Sequence, residues 1–360
     1  MKIKKIYCFA YYDLREPSVR YRGKYMLSEL EKTKGIAYNI VYPGYSPKNI
    51  LYFFFVFLSV LFSDSKQSLI IYQNIYSQRG YAFLLKLLLT IRPHNTIYDI
   101  DDADYLRFPP ETIHYFMKRC SVCTVGSIAL KEYALQYNEQ VLLLTSPIIE
   151  HQEVKKDRNN TITIGWIGFY NAHKDSVEQL FLPALDSISL TVRLVLLGVT
   201  NPEHREQLFL RFAHKPNIHL EIPVDINWQD EEGIYKRVKT FDIGISPLLP
   251  TEMNIAKSAF KLKQYLSCGV PVLGSDTGEN KRFLVDGENG FFCHSSADYR
   301  KYIGEIASIT DSEYNDMSRK ARASLSKFSM EQYCSSLTAF FEQDNSDTPK
   351  KRRSFSLGIS

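Results

Sequence analysis

Short apolar runs alternate with amphipathic stretches along most of the chain, and this alternation restricts the fold more than any other feature. In the first half the strand-like runs are Lys5–Ala10, Ala37–Val41, Leu69–Tyr72, Thr96–Asp99 and Val122–Val125. Helical stretches fall between or after them, around Arg22–Lys32, Ile50–Phe62, Tyr81–Thr90, Thr112–Cys120 and Ile128–Tyr137. A second series follows, with strands at Thr161–Ile167, Val192–Leu197, Ile218–Ile222, Phe241–Ile245 and Val270–Leu273. Helices are expected there at 175–189, 202–213 and 230–239. Runs this short and this apolar suit strands covered on both faces, and parallel neighbours need a helical crossover between them. The pattern therefore predicts an α/β protein of doubly wound parallel sheets, whose ligands lie beyond the carboxyl ends of the strands.

A chain of 360 residues has length for two such domains. The polar stretch Glu150–Asn160 lacks apolar periodicity and reads as the linker, giving domains of 1–150 and 151–327. Two helices, Ser296–Thr310 and Glu313–Ser326, are expected to close the second domain, and Phe328-Ser-Met-Glu331 opens a last helix, 328–342. The remainder, 343–360, holds Lys350-Lys-Arg-Arg353 and reads as a disordered basic tail.

Composition excludes little. A net charge of +4 gives no reason to expect a nucleic-acid partner, and fits an anionic small molecule or an anionic membrane surface. Six cysteines without a disulfide-like framework point to a reducing, cytoplasmic setting, and Cys120-x-x-Cys123 has no second pair to complete a zinc site. The run Ile50–Phe62 is too short to span a bilayer, which takes about 20 residues. It reads as a buried helix, with a peripheral contact to the inner face of the cell membrane as the alternative.

The most informative stretch is Lys257-Ser-Ala-Phe-Lys-Leu-Lys-Gln-Tyr-Leu-Ser-Cys-Gly-Val-Pro-Val-Leu-Gly-Ser-Asp-Thr-Gly-Glu-Asn280. Phe260, Leu262, Tyr265 and Leu266 recur at roughly helical spacing, and Gly269 with Pro271 ends the helix. Lys257 and Lys261 are four apart and are expected on one face of its first turn. Cations are disfavoured at a helix N-terminus unless an anion sits among them, and phosphate suits that place. Upstream lies Phe241-Asp-Ile-Gly-Ile-Ser-Pro-Leu248, and downstream Leu284-Val-Asp-Gly-Glu-Asn-Gly-Phe291.

In that order these three motifs resemble the donor-binding half of GT-B glycosyltransferases, specifically the retaining family 4 in its bacterial polysaccharide and lipopolysaccharide branch. Pro17-Ser-Val-Arg-Tyr-Arg22 and Ile97-Tyr-Asp-Ile-Asp-Asp-Ala103 look like the acceptor domain of the same branch. The resemblance implies two Rossmann-like domains facing a cleft, acceptor domain first, with the last helix crossing back to it. It also implies transfer of a sugar from a nucleoside-diphosphate sugar to a glycan or lipid-linked acceptor, with retention and without a metal ion or other cofactor. In such a reaction the leaving phosphate itself helps deprotonate the acceptor.

The resemblance places Gly168, Phe169, Lys174, Lys257, Ser258, Ala259, Lys261, Gln264, Gly278, Glu279 and Asn280 at the donor, and Arg20, Arg22 and Asn74 at the acceptor. Lys261, Asp101 and Asp102 are the expected catalytic residues. Three departures stand out. Phe169 replaces an arginine, Ala256 and Gln264 replace a pair of glutamates, and Asp101 stands where many members have a histidine. The carboxylates Asp99, Asp101, Asp102 and Asp104 could bind sugar hydroxyls, or a divalent cation. A GT-B sugar epimerase and a silent GT-B binding subunit are the alternative functions.

Overall fold

The computed structural model describes residues 3–77, 79–149 and 158–343. The expected linker lies, up to Asp157, outside the described residues, as does the basic tail beyond Gln343. Two compact units emerge. One runs to Pro147 and resumes at Met330, and the other is the continuous segment Ile148–Ser329.

The first unit contains β1 (Lys5–Ala10), β2 (Ala37–Val41), β3 (Ser68–Gln73), β4 (Thr96–Ile100), β5 (Val122–Val125) and β6 (Val141–Leu143). Its sheet is parallel throughout, in the order β2-β1-β3-β4-β5-β6. Every residue of β3 and β4 is buried, which is why neither shows an alternating pattern in the sequence. The order reverses between β1 and β3, so the loops after those strands, Tyr11–Ser18 and Asn74–Ser77, flank the switch point. The last helix, Met330–Gln343, returns to this unit. Tyr333, Cys334 and Leu337 share one apolar cluster with Met26, Leu27 and Leu30 of the helix Met26–Lys34. Lys34 Nζ also donates to Thr338 Oγ1 at 2.6 Å.

The second unit contains β7 (Ile162–Ile167), β8 (Val192–Leu197), β9 (Ile218–Glu221), β10 (Ile243–Ser246), β11 (Val272–Gly274) and β12 (Gly290–Phe292). Its parallel order is β12-β11-β10-β7-β8-β9, the arrangement of a dinucleotide-binding sheet, with its switch point between β7 and β10. The Asp286-Gly-Glu-Asn-Gly290 turn builds β12: Asn289 caps Phe283 and Val285, and Asp286 Oδ1 accepts from Phe292 N at 2.8 Å. Two capping boxes, Ser295 with Asp298 and Thr310 with Glu313, start the helices Ser296–Ser308 and Asp311–Ala323. Two doubly wound parallel-sheet units in one chain match the expected GT-B architecture.

The apolar run expected as a buried helix forms the helix Pro47–Phe62, and burial there is one-sided. Phe53, Val56, Phe57 and Val60 are buried, while Leu51, Phe54, Phe55, Leu58 and Phe62 are exposed. An unbroken apolar sequence has no period, so it does not say which face meets the core.

Candidate functional site

In the second unit the helix Phe260–Ser267 packs over the switch point. Tyr265 fills the space above Gly244 on β10, and its hydroxyl accepts from Ile167 N at 2.9 Å. That packing fixes the helix against the end of β7. The helix starts at Phe260, the first residue of the apolar spacing read from the sequence. Ala259, the N-cap residue, is left-handed, at φ 52°, and makes no side-chain cap hydrogen bond. Lys257 and Ser258 therefore lie in the loop after the short helix Glu252–Ile255. This corrects the expected pairing of Lys257 and Lys261 on one helical face: the left-handed turn at Ala259 separates them.

Lys261 reaches the switch point. A methyl group on Gly168 would lie 3.1 Å from its Cδ and 3.2 Å from its Nζ. The ammonium stands 5.3 Å from the Trp166 ring centroid, a cation–π distance. Gly168 has φ 149°, a conformation that a side chain would strain. Its carbonyl oxygen is where a methyl on Gly198, itself at φ 107°, would fall. Gly168 N also donates to Leu197 O at 2.9 Å, so the turns after β7 and β8 lock together with no room for side chains. Phe169, 60% exposed, follows at the start of the helix Tyr170–Ser176. One turn into that helix, Lys174 Nζ stands 3.9 Å from Glu178.

Hydrogen bonds join the remaining segments. Ser176 Oγ accepts from Leu249 N at 3.1 Å and from Asn254 Nδ2 at 3.4 Å. Ser275 Oγ accepts from Leu248 N at 2.9 Å, and Thr277 Oγ1 donates to Leu248 O at 3.1 Å. Asn280, wholly buried, donates to both Ser246 O and Ser275 O at 3.1 Å. Its amide thus braces the end of β10 against the loop after β11. Glu279 is buried and pairs with Arg282 at 3.2 Å. Gly278 lies against helix Glu252–Ile255, where a methyl would meet Ile255 O at 2.7 Å. Gln264 is buried in the helix Phe260–Ser267.

In the first unit the four carboxylates divide. Asp99 is buried and takes a bidentate pair from Arg22, plus Thr124 Oγ1 at 2.6 Å and Gln73 Nε2 at 3.1 Å. Arg22, also buried, donates from Nη1 to Leu144 O and lies 5.7 Å from the Tyr333 ring. Arg22, expected at the acceptor, is held inside the first unit by Asp99 and Leu144. Arg20 is buried too, bonded to Leu14 O at 2.9 Å and Arg15 O at 2.7 Å, so it braces the loop after β1.

Asp101 and Asp102 are half-buried just past β4. Asp101 Oδ1 accepts from Asn74 Nδ2 at 3.0 Å. Burial pushes the Asp101 carboxyl up to about 7, with Asp102 and Asp99 adding to the rise and Arg22 and Asn74 opposing it. Asn74 is buried in a left-handed turn, and its Oδ1 has no partner among the described residues. Tyr11 and Phe108 flank Tyr76 beside this turn, with ring centroids 4.1 and 4.4 Å away. Among the described residues, no group of three or more His, Cys, Asp or Glu is placed to hold a metal ion.

Sequence reasoning missed Trp166, Gly198, Ser176 and the Arg22–Asp99 pair. Gly198 had a legible signal, a glycine directly after an apolar strand. The other contacts join segments far apart in the chain.

No family model matches this sequence, and no curated protein does. Solved structures do share the fold. Sucrose-phosphate synthase from Thermosynechococcus elongatus superposes with a TM-score of 0.70 at 11% identity, over 94% of this chain and 98% of that one. HepE from Anabaena, in complex with UDP and glucose, gives 0.66 at 12% identity, over 94% and 99%. A glycosyltransferase from Rickettsia africae gives 0.65 at 11% identity, over 97% and 100%.

Proposed function

We propose that this protein is a glycosyltransferase of the retaining family 4. It moves a sugar from a nucleoside-diphosphate sugar to a glycan or lipid-linked acceptor during cell-surface polysaccharide synthesis, at the cytoplasmic face of the membrane. The observation that carries this reading is the Lys261 ammonium held against Gly168 at the switch point of a dinucleotide-type sheet. As the glycosidic bond breaks, negative charge grows on the leaving diphosphate. Lys261 and the start of its helix supply a cation and backbone dipoles there, already oriented before reaction. Lys174 and Lys257 add positive charge nearby, and the close-packed glycines let a diphosphate approach the backbone.

Asp101 and Asn74 bind acceptor hydroxyls at the corresponding switch point of the first unit. The reaction uses no metal ion. UDP is the favoured nucleotide, because HepE of the same fold was solved with it. Calorimetry with UDP, GDP, ADP and CMP, followed by assays of donor hydrolysis and transfer, tests the proposal. Binding of UDP with slow hydrolysis of a UDP-sugar is expected, and failure to bind any of the four rules the reading out.

A further inference from the structure

We propose that the outer faces of the helices Pro47–Phe62 and Arg79–Ile91 form a docking surface for an anionic lipid bilayer. This deepens the membrane contact in the reading above and does not depend on sugar transfer itself. On the first helix Leu51, Phe55, Leu58 and Phe62 recur at helical spacing and are 70%, 62%, 51% and 87% exposed. On the second, Phe83, Leu87 and Ile91 form a matching exposed row. The two helices pack together, and Arg92 ties them by donating to Leu61 O at 3.3 Å and Ser63 O at 3.0 Å. Seven large apolar side chains on adjacent helices exceed the scattered exposure ordinary on a protein surface.

The charges decide between occupants. Lys48 and Lys66 are exposed at the two ends of the first helix, and Lys48 is its only charged residue. Asp64 is the sole carboxylate between Lys32 and Tyr98, and it accepts from Lys66 N and Gln67 Nε2. A second copy of the chain, packing this stripe against itself, would set lysines against lysines at both ends. An anionic bilayer meets the same lysines with phosphate while taking up the apolar row. Tyr45 and Tyr52, both exposed near the start of the helix, suit the headgroup level. Among the described residues no helix is long and apolar enough to cross a membrane, so this one would lie in the plane of the interface.

Sedimentation of the full chain with phosphatidylglycerol/phosphatidylcholine vesicles, and with phosphatidylcholine alone, tests the assignment. The protein is expected to pellet with the anionic vesicles and to be released by salt. Phe55→Ser with Leu58→Ser should weaken partition at least tenfold at an unchanged melting temperature, because both side chains are exposed. Lys48→Glu with Lys66→Glu should abolish the preference for the anionic lipid. Should the serine variant not fold, Phe55→Trp fluorescence gives the same answer, a blue shift on adding anionic vesicles being expected. No pelleting of the wild-type protein, or no blue shift, overturns the proposal. So does a lipid-free dimer that the serine changes dissociate. UDP binding measured on the same samples reports separately on the glycosyltransferase reading.

Discussion

The side chain of Lys261 lies against the backbone of Gly168, so that a methyl group there would sit 3.2 Å from the ammonium nitrogen. A helix and a strand-end turn, far apart in sequence, thus meet at one cation. Lys261→Ala should lower the rate at saturating donor by about 10²–10³, the usual effect of removing one preoriented charged donor. Circular dichroism and the melting temperature should not change. A rate within threefold of wild type would remove Lys261 from the phosphate site.

Gly168→Ala and Gly198→Ala separate two kinds of crowding. At Gly168 the methyl meets a flexible lysine, and the strain of its φ costs about 1–3 kcal/mol. Nucleotide affinity should fall about tenfold as Lys261 is displaced, with a modest drop in melting temperature. At Gly198 the methyl meets the Gly168 carbonyl, which cannot move without breaking the turn. That variant should lose far more stability in denaturant titrations, and equal losses would refute the distinction.

Asp101 gives stability a pH dependence. Between the ordinary value of 3.8 and about 7 the folded chain keeps a proton that the unfolded chain has released. Stability should therefore fall as pH rises through that window. Asp101→Asn should flatten the dependence of melting temperature on pH and lower turnover more than donor affinity. Activity is expected to survive EDTA. Complete loss in chelator, restored by Mg²⁺ or Mn²⁺, would make the acidic turn a metal site.

Arg22→Ala should destabilise the first unit by about 3–5 kcal/mol, because it leaves the buried Asp99 carboxylate without its cation. Replacing Asp99 with Asn in the same chain should recover part of the loss. Additive losses in a double-mutant cycle would show that the pair does not act as one.

The sheets were legible because each strand is a local apolar run: Lys5–Ala10, Ala37–Val41 and Val192–Leu197 fall where the sequence puts them. The short edge strands Val141–Leu143 and Gly290–Phe292 were not read from the sequence. Within the candidate site, the sequence offers Gly168 and Lys261 but not their contact. Lys257 reads as sharing a helical face with Lys261 because nothing in Lys257-Ser-Ala259 announces a left-handed alanine. Arg22 reads as a binding residue because its partner, Asp99, arrives on a different strand. In the helix Pro47–Phe62 the exposed stripe is hidden by equally apolar neighbours.

The return of the last helix has a consequence for biosynthesis. The strands β1 to β6 emerge from the ribosome early, yet Met26, Leu27 and Leu30 lack their cover until Tyr333, Cys334 and Leu337 have been translated. The inserted unit, Ile148–Ser329, is continuous and can fold while its predecessor waits open. A chain that stops just short of Met330 therefore carries one finished unit joined to one with a bare apolar seam. Such a product is a natural client for chaperones and proteases.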